Sequence, residues 1–438
     1  MKEQHILQEM TAGNHAADAF VYESKTKSLQ ASFQDTPIFE KNEISENSGY
    51  SVRVFGKDSF GFSYSSGLDF SNAAEIMGNA GADLLARGDK PKDIGVDFCS
   101  LPEFSDFRGE YERLSIEDLQ ALAHTIFGKI TGRKFVSSIP YLDIGVHRLN
   151  KTIIYKGNVL EKGYDFAQIF LYIKAESNGE VQNDGWSMVK KELSEINTGE
   201  LVEKAYERTI SKFDAGHIDS ASLPVVFDKS VMSDILDVLI DMLVFDNIQK
   251  KKSPFFDKLH SIISSEKLNL LLSTEGDVLY KAPFDDEGVA HKQLKIINNG
   301  VLTDFLYDSF TAYRNGRKGN GFGFRAAYTG AARAGATNII INNGTTAKSD
   351  ILKDNKRLVW IDNLIGLHTI DMVTGAFSLG FEGRYYENGK FVKALNGMTV
   401  AGTIQQLLNN YENSLDDGEA MGRIYTPSAF FRDIVIGG

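Results

Sequence analysis

Two stretches of the 438-residue sequence concentrate side chains able to do chemistry. Phe284-Asp285-Asp286-Glu287-Gly288-Val289-Ala290-His291 puts three carboxylates and an imidazole at what reads as the mouth of a β-hairpin. Such a set either holds a hard cation or supplies an acid and base pair, or it is a polar turn in which Gly288 provides backbone freedom. The second stretch, residues 223–252, passes from a short apolar run, Val225-Val226-Phe227, into a helical pattern. Val231, Ile235, Val238, Leu239, Met242 and Leu243 fall on one stripe, and Asp234, Asp237 and Asp241 fall on the other side. Three spaced aspartates make either a cation site or a face left for solvent or an interface. Oxygen-ligand sites usually draw on loops and strand ends, so the face is the expectation.

A helical zinc-protease site needs two histidines on one helix face and a glutamate beside the first to take a proton from the bound water. The eight histidines are His5, His15, His124, His147, His217, His260, His291 and His368, and no two fall within one helix turn. Gly319-Asn-Gly-Phe-Gly323 neither follows a strand nor opens a helix as a phosphate loop must. There is no G-x-S-x-G elbow, P-loop lysine pattern or C-x-x-C. Scattered Ser, His and Asp residues leave a catalytic triad open and unsupported.

The elements that must position these residues read as a mixed chain. Residues 4–18 have helical character, and alternating residues from Ala19 onward suit a strand. Residues 50–55 and 60–64 flank a turn as a hairpin, and Ser71 is placed to cap a helix through Leu85. Ser115 with Asp118 forms a capping-box pattern before the helix at 116–130, a β-meander follows over 151–189, and Thr198 caps a helix to about Phe213. Beyond residue 252 the signals are mostly β, with Asn-Gly turns at 299–300 and 388–389, and a helix at 404–412. The fold expectation is α+β: an N-terminal α/β domain at 1–93, a middle α+β domain with an antiparallel segment at 94–222, and a larger β-rich C-terminal domain at 223–438.

Composition narrows the partners. Asp and Glu number 59 against 47 Lys and Arg, a net charge of -12 that opposes direct nucleic-acid or anionic-membrane binding. A single cysteine, Cys99, excludes an intrachain disulfide. With no signal-like N-terminus and no run of about 18 apolar residues, a cytoplasmic chain is expected.

Several stretches together resemble the TldD/PmbA family, whose members were once labelled modulators of DNA gyrase. They are Val52-Arg-Val-Phe-Gly56 with Gly61-Phe-Ser-Tyr64, Pro283-Phe-Asp-Asp-Glu-Gly288 before Asn299-Gly-Val-Leu302, and Tyr307-Asp-Ser309. Gly335-Ala-Thr-Asn338, Gly366-Leu-His368, residues 371–377 with Ser378 and Gly380, and Glu387-Asn-Gly389 complete the set. The resemblance implies two subunit types. The TldD type carries H-E-x-x-x-H on the helix after a P-V-V strand and is a zinc peptidase, and the PmbA/TldE type lacks those ligands and pairs with it. Aligned on Pro224-Val-Val-Phe227, Asp237 and Met242 stand where the two histidines would be and Val238 where the glutamate would be. The resemblance therefore implies a PmbA/TldE-type chain with no metal or cofactor of its own and zinc in a TldD-like partner, or a homodimer if that partner is missing. It would bind extended peptide or unfolded protein for proteolysis by that partner. Asp285, Asp286, Glu287, Gly288, His291, His368 and Ser378 are the expected substrate- or partner-binding residues. The competing expectations are an independent hydrolase built around residues 285–291 and a peptide-binding adaptor without a peptidase partner.

Overall fold

The computed structural model describes residues 4–276 and 278–438. In chain order the first half comprises α1 (Gln4–Gly13), β1 (Ala17–Phe33), β2 (Pro37–Phe55), β3 (Phe60–Ser66), α2 (Ala73–Ala86), β4 (Phe104–Asp106), α3 (Glu110–Arg113) and α4 (Ile116–Ile130). It continues through β5 (Val136–Tyr155), β6 (Asn158–Ser177), β7 (Glu180–Lys190) and α5 (Thr198–Ile210). Its seven strands make one sheet in the order β3-β2-β1-β5-β6, with β4 and β7 both paired to β6. Because β1 lies between β2 and β5, residues 1–93 and 94–222 build the same sheet, and the expected division at residue 93 falls inside it.

Alternation gives this sheet two unlike faces. Ala17, Ala19 and Val21 of β1 and Val52 and Val54 of β2 pack under α2, while Leu29 and Ala31 pack with Leu119, Ala123 and Ile126 of α4 further along. The intervening Asp18, Phe20, Arg53 and Phe55 turn to the opposite face, which the second half of the chain covers. Ser115 and Asp118 close the expected capping box on α4.

The second half comprises β8 (Ala221–Phe227), α6 (Lys229–Met242), α7 (Phe245–Gln249), β9 (Leu270–Leu272), β10 (Leu294–Asn298), β11 (Val301–Leu302) and α8 (Ser309–Arg314). Then come β12 (Gly323–Phe324), β13 (Arg333–Ala334), β14 (Ile339–Ile340), α9 (Lys348–Asp354), β15 (Arg357–Ile365), β16 (Ala376–Glu387), β17 (Lys390–Thr403) and α10 (Ile404–Asn409). The chain ends with β18 (Tyr411–Ser414), β19 (Glu419–Met421), β20 (Ile424–Thr426) and β21 (Ala429–Gly437). Strands β17, β16, β15, β8 and β21 pair in sequence, and β17 pairs again with β21, so the five close into a barrel. A second sheet runs β11-β10-β9-β14-β20-β19, and α6 packs between it and β15 in the largest apolar core. The α+β expectation holds.

Four local expectations shift. The first helix ends at Gly13, because β1 begins at Ala17. Asp69 rather than Ser71 accepts the capping bond of the 3-10 turn that leads into α2, and Asn197 rather than Thr198 caps α5. The helix at Ile404 stops at Asn409, since Tyr411 is already paired with Phe431.

Candidate functional site

The 285–291 turn lies at the joint between the two halves, pressed on the charged face of the first sheet. Lys151 and Lys162 sit directly opposite each other on β5 and β6, where two like charges repel. Asp286 separates them, with Lys151 Nζ at 2.7 Å from one carboxylate oxygen and Lys162 Nζ at 2.9 Å from the other. It also accepts the Arg325 N–H at 2.8 Å. These cations overcome the cost of burial and hold the Asp286 carboxyl well below its usual range. Arg53 Nη2 donates to Asp18 at 2.5 Å and to Glu287 at 2.6 Å, and Arg325 Nη2 reaches the same Asp18 at 2.7 Å. The other Glu287 oxygen accepts the Ser309 N–H at the start of α8. Asp285 folds the turn on itself, accepting from the Glu287, Val289 and Gly323 N–H groups at 2.9, 2.9 and 2.8 Å. Burial, and then the Glu287 charge, push its carboxyl up.

None of these carboxylates has room for a substrate: Asp285, Asp286 and Glu287 are 1%, 0% and 2% exposed. Gly288 has φ +77, and a Cβ there would stand 2.3 Å from the Phe98 ring that closes the turn. The His291 ring stacks on Phe324 with centroids 5.8 Å apart, and neither ring nitrogen has a hydrogen-bond partner among the described residues. Burial drives its pKa down to about 3, and the nearby Lys162 charge adds to the lowering, so the imidazole is neutral. His368, on a 3-10 turn after β15, and Ser378, on β16, are exposed on the barrel with no hydrogen bond or ion pair to the turn among the described residues. The structure brings residues 285–291 together with Asp18, Arg53, Lys151, Lys162 and Arg325 instead. Two of those partners carry a local signal, since Asp18 and Arg53 are charges between apolar strand residues, in Ala17-Asp18-Ala19 and Val52-Arg53-Val54, whereas Lys151 and Lys162 have polar or glycine neighbours and Arg325 lies just past β12.

Helix α6 begins where Asp228 accepts the Ser230 N–H at 3.2 Å. Val231, Ile235, Leu239 and Met242 are buried as the periodicity predicts. A zinc site on this helix would have to use Asp237, Val238 and Met242, and these do not fit the metal. Asp237 is exposed and paired with Arg423, Val238 packs an isopropyl group against the core, and Met242 is enclosed in that core. Among the described residues no three His, Cys, Asp or Glu side chains are grouped to hold a metal ion. The aspartates are not equivalent. Asp234 is half-buried, and burial followed by the nearby Asp237 charge raises its pKa to about 6.

Asp234 opens onto a cleft that sequence reasoning missed. One part, of about 290 Å³, is lined by residues 187–190 of β7, by Ser230, Ser233 and Asp234, and by residues 419–422. An adjoining part, of about 190 Å³, shares Val189, Lys190, Ala420 and Gly422 and adds Arg108, Lys191, Glu195, Val278, Leu279 and Lys281. Among the described residues strand β7 pairs only with β6 and β19 ends the second sheet, so the cleft has a strand edge on each side that no described strand pairs with. Exposed edges offer rows of unpaired N–H and C=O groups, the arrangement that captures an extended chain by strand addition.

The comparisons with known proteins cover the whole fold. The PmbA/TldA metallopeptidase C-terminal domain matches residues 220–438, and PmbA/TldA metallopeptidase domain 1 matches residues 19–82. Metalloprotease PmbA of Escherichia coli O157:H7 is 25% identical over 269 residues, 60% of this chain and 57% of that protein. The chain spans about half the length of the curated relatives it matches. The crystal structure of a candidate modulator of a DNA gyrase from Thermotoga maritima MSB8 superposes with a TM-score of 0.86 at 20% identity, over 100% of this chain and 99% of that one. TldE from Thermococcus kodakarensis gives a TM-score of 0.84 at 18% identity, over 100% of both chains. No helix among the described residues is long and apolar enough to cross a membrane. With the C-terminal match on half of its length and the fold shared throughout, the chain belongs to the PmbA/TldD family and has its metallopeptidase-like fold.

Proposed function

We propose that this chain is a zinc-less, PmbA/TldE-like subunit, cytoplasmic, that holds an extended peptide or unfolded segment for cleavage by a TldD-like zinc subunit. The observation that carries this reading is the content of α6. A zinc-peptidase helix would carry a general base and two imidazoles, and at the matching positions the chain has Asp237, Val238 and Met242, the last enclosed in the core. The cleft beside that helix supports the peptide-holding part, since β7 and β19 each present to it an edge that is unpaired among the described residues. Asp285, Asp286 and Glu287 serve the joint between the halves and give no support to an independent hydrolase, because their charges are spent on buried partners. Protein purified without added metal is expected to lack stoichiometric zinc by elemental analysis and to cleave no peptide alone. Stoichiometric zinc together with cleavage by the same sample would overturn the proposal.

A further inference from the structure

The cleft is unevenly charged. Arg108, Lys190, Lys191 and Lys281 line one part, and Glu195 is the one lining carboxylate there among the described residues. Arg108 and Lys191 share Asp106, and among the described residues Lys190 and Lys281 make no ion pair. In the other part Glu419 is already held by Lys204 and Lys229, at 2.7 and 2.9 Å. Asp234 makes no hydrogen bond or ion pair among the described residues and faces the same space. Val189, Val278, Leu279 and Ala420 form an apolar wall at the basic part.

Set against Asp106 and Glu195, these four cations leave an excess of two positive charges among the described residues at one place in a chain of net charge -12, and so concentrate positive potential locally. Screening over roughly 8–10 Å means that a ligand in the cleft feels these groups more than the net charge of the molecule. Hydrogen bonds to a strand edge are made by any sequence, so selectivity has to come from side-chain surroundings. Given the peptide-holding function, on which this step rests, we propose that the cleft selects extended peptides by charge. It seats a carboxylate-bearing segment against Lys190 and Lys281 and an amino or guanidino group against Asp234. The raised pKa of Asp234 agrees with a carboxyl that lacks a cation and would gain one on binding.

Fluorescence anisotropy with short labelled unstructured peptides tests this on the intact chain. Three peptides share one length and differ in charge: one has acidic side chains and an amidated end, one is neutral with a free C-terminal carboxylate, and one is neutral and amidated. At least one of the first two is expected to bind about tenfold tighter than the third, a difference of about 1.4 kcal/mol, and which one does so identifies the carboxylate as side-chain or terminal. The Lys190→Glu/Lys281→Glu variant, changed at two half-exposed positions, is expected to keep its melting temperature and lose that preference. Equal binding of all three peptides, or an unchanged preference in the variant, would overturn the charge selection while leaving the peptide-holding function standing. Failure of all three to bind would overturn both.

Discussion

Arg53 and Glu287 lie 234 residues apart in sequence and meet as an ion pair at 2.6 Å with both side chains fully buried. Arg53 comes from the inward face of β2 and Glu287 from the turn that the second half presses onto that sheet. The pair joins the halves and recruits Asp18 and Arg325 to the same place. Removing one member leaves the others charged and out of reach of water, which is costlier than the pair itself is stabilising.

Arg53→Ala should therefore destabilise the chain by about 3–5 kcal/mol. Urea unfolding followed by circular dichroism measures this. A loss below about 1 kcal/mol, the range of a surface pair, would show that the joint is not held by these charges.

Gly288→Ala should cost about 2 kcal/mol or more, since a Cβ meets the Phe98 ring and the backbone is left-handed there. Adding Phe98→Leu should restore part of the loss, because the smaller side chain relieves the contact and leaves the backbone term. Thermal melts of the single and double variants separate the two causes. No recovery in the double variant would put the whole cost on the backbone.

His291 gives the chain a calculable sensitivity to acid. Its folded pKa, about 3, lies below the unfolded value near 6.5. The unfolded chain thus binds the proton first, and this group costs stability as pH falls from about 6.5 towards 3, by up to about 1.4 kcal/mol per pH unit. His291→Phe should flatten that part of the profile and unfold later than the parent at pH 5. Parallel profiles for the two proteins would contradict the buried neutral imidazole.

Asp237→His/Val238→Glu/Met242→His should not create a zinc site. Asp237→Ala alone should change stability by less than about 1 kcal/mol, because its pair with Arg423 is exposed. Met242→Ala should cost about 2–5 kcal/mol, as for other enclosed methionines. The triple variant should accordingly melt early and carry no stoichiometric zinc by elemental analysis. A stable, zinc-loaded triple variant would show that the helix face is more open than its packing indicates.

Much of the frame is legible in the residues. The α6 stripe from Val231 to Met242 and the capping box at Ser115 follow from spacing alone, since local pattern and local structure coincide there. The turn at Asp285 stands out for its carboxylates, and Asp18 and Arg53 stand out as charges between apolar strand residues, yet that these groups meet is not readable. The turn's partners Asp18, Arg53, Lys151 and Lys162 come from strands more than a hundred residues away, and only the packing of the halves turns an apparent surface cluster into a buried joint. The cleft is illegible for the same reason. Whether the edges of β7 and β19 face one space is a matter of sheet order and docking, and nothing in Ser187-Met188-Val189-Lys190 or Glu419-Ala420-Met421 records it.

Amide hydrogen exchange with and without a saturating unstructured peptide tests the central claim most directly, because strand addition protects backbone N–H groups whatever the peptide's sequence. Slower exchange is expected at residues 187–190 of β7, at 419–421 of β19, or at both, with the buried 285–291 turn unchanged. Protection confined to other parts of the chain, or none under conditions where the peptide is bound, would contradict it.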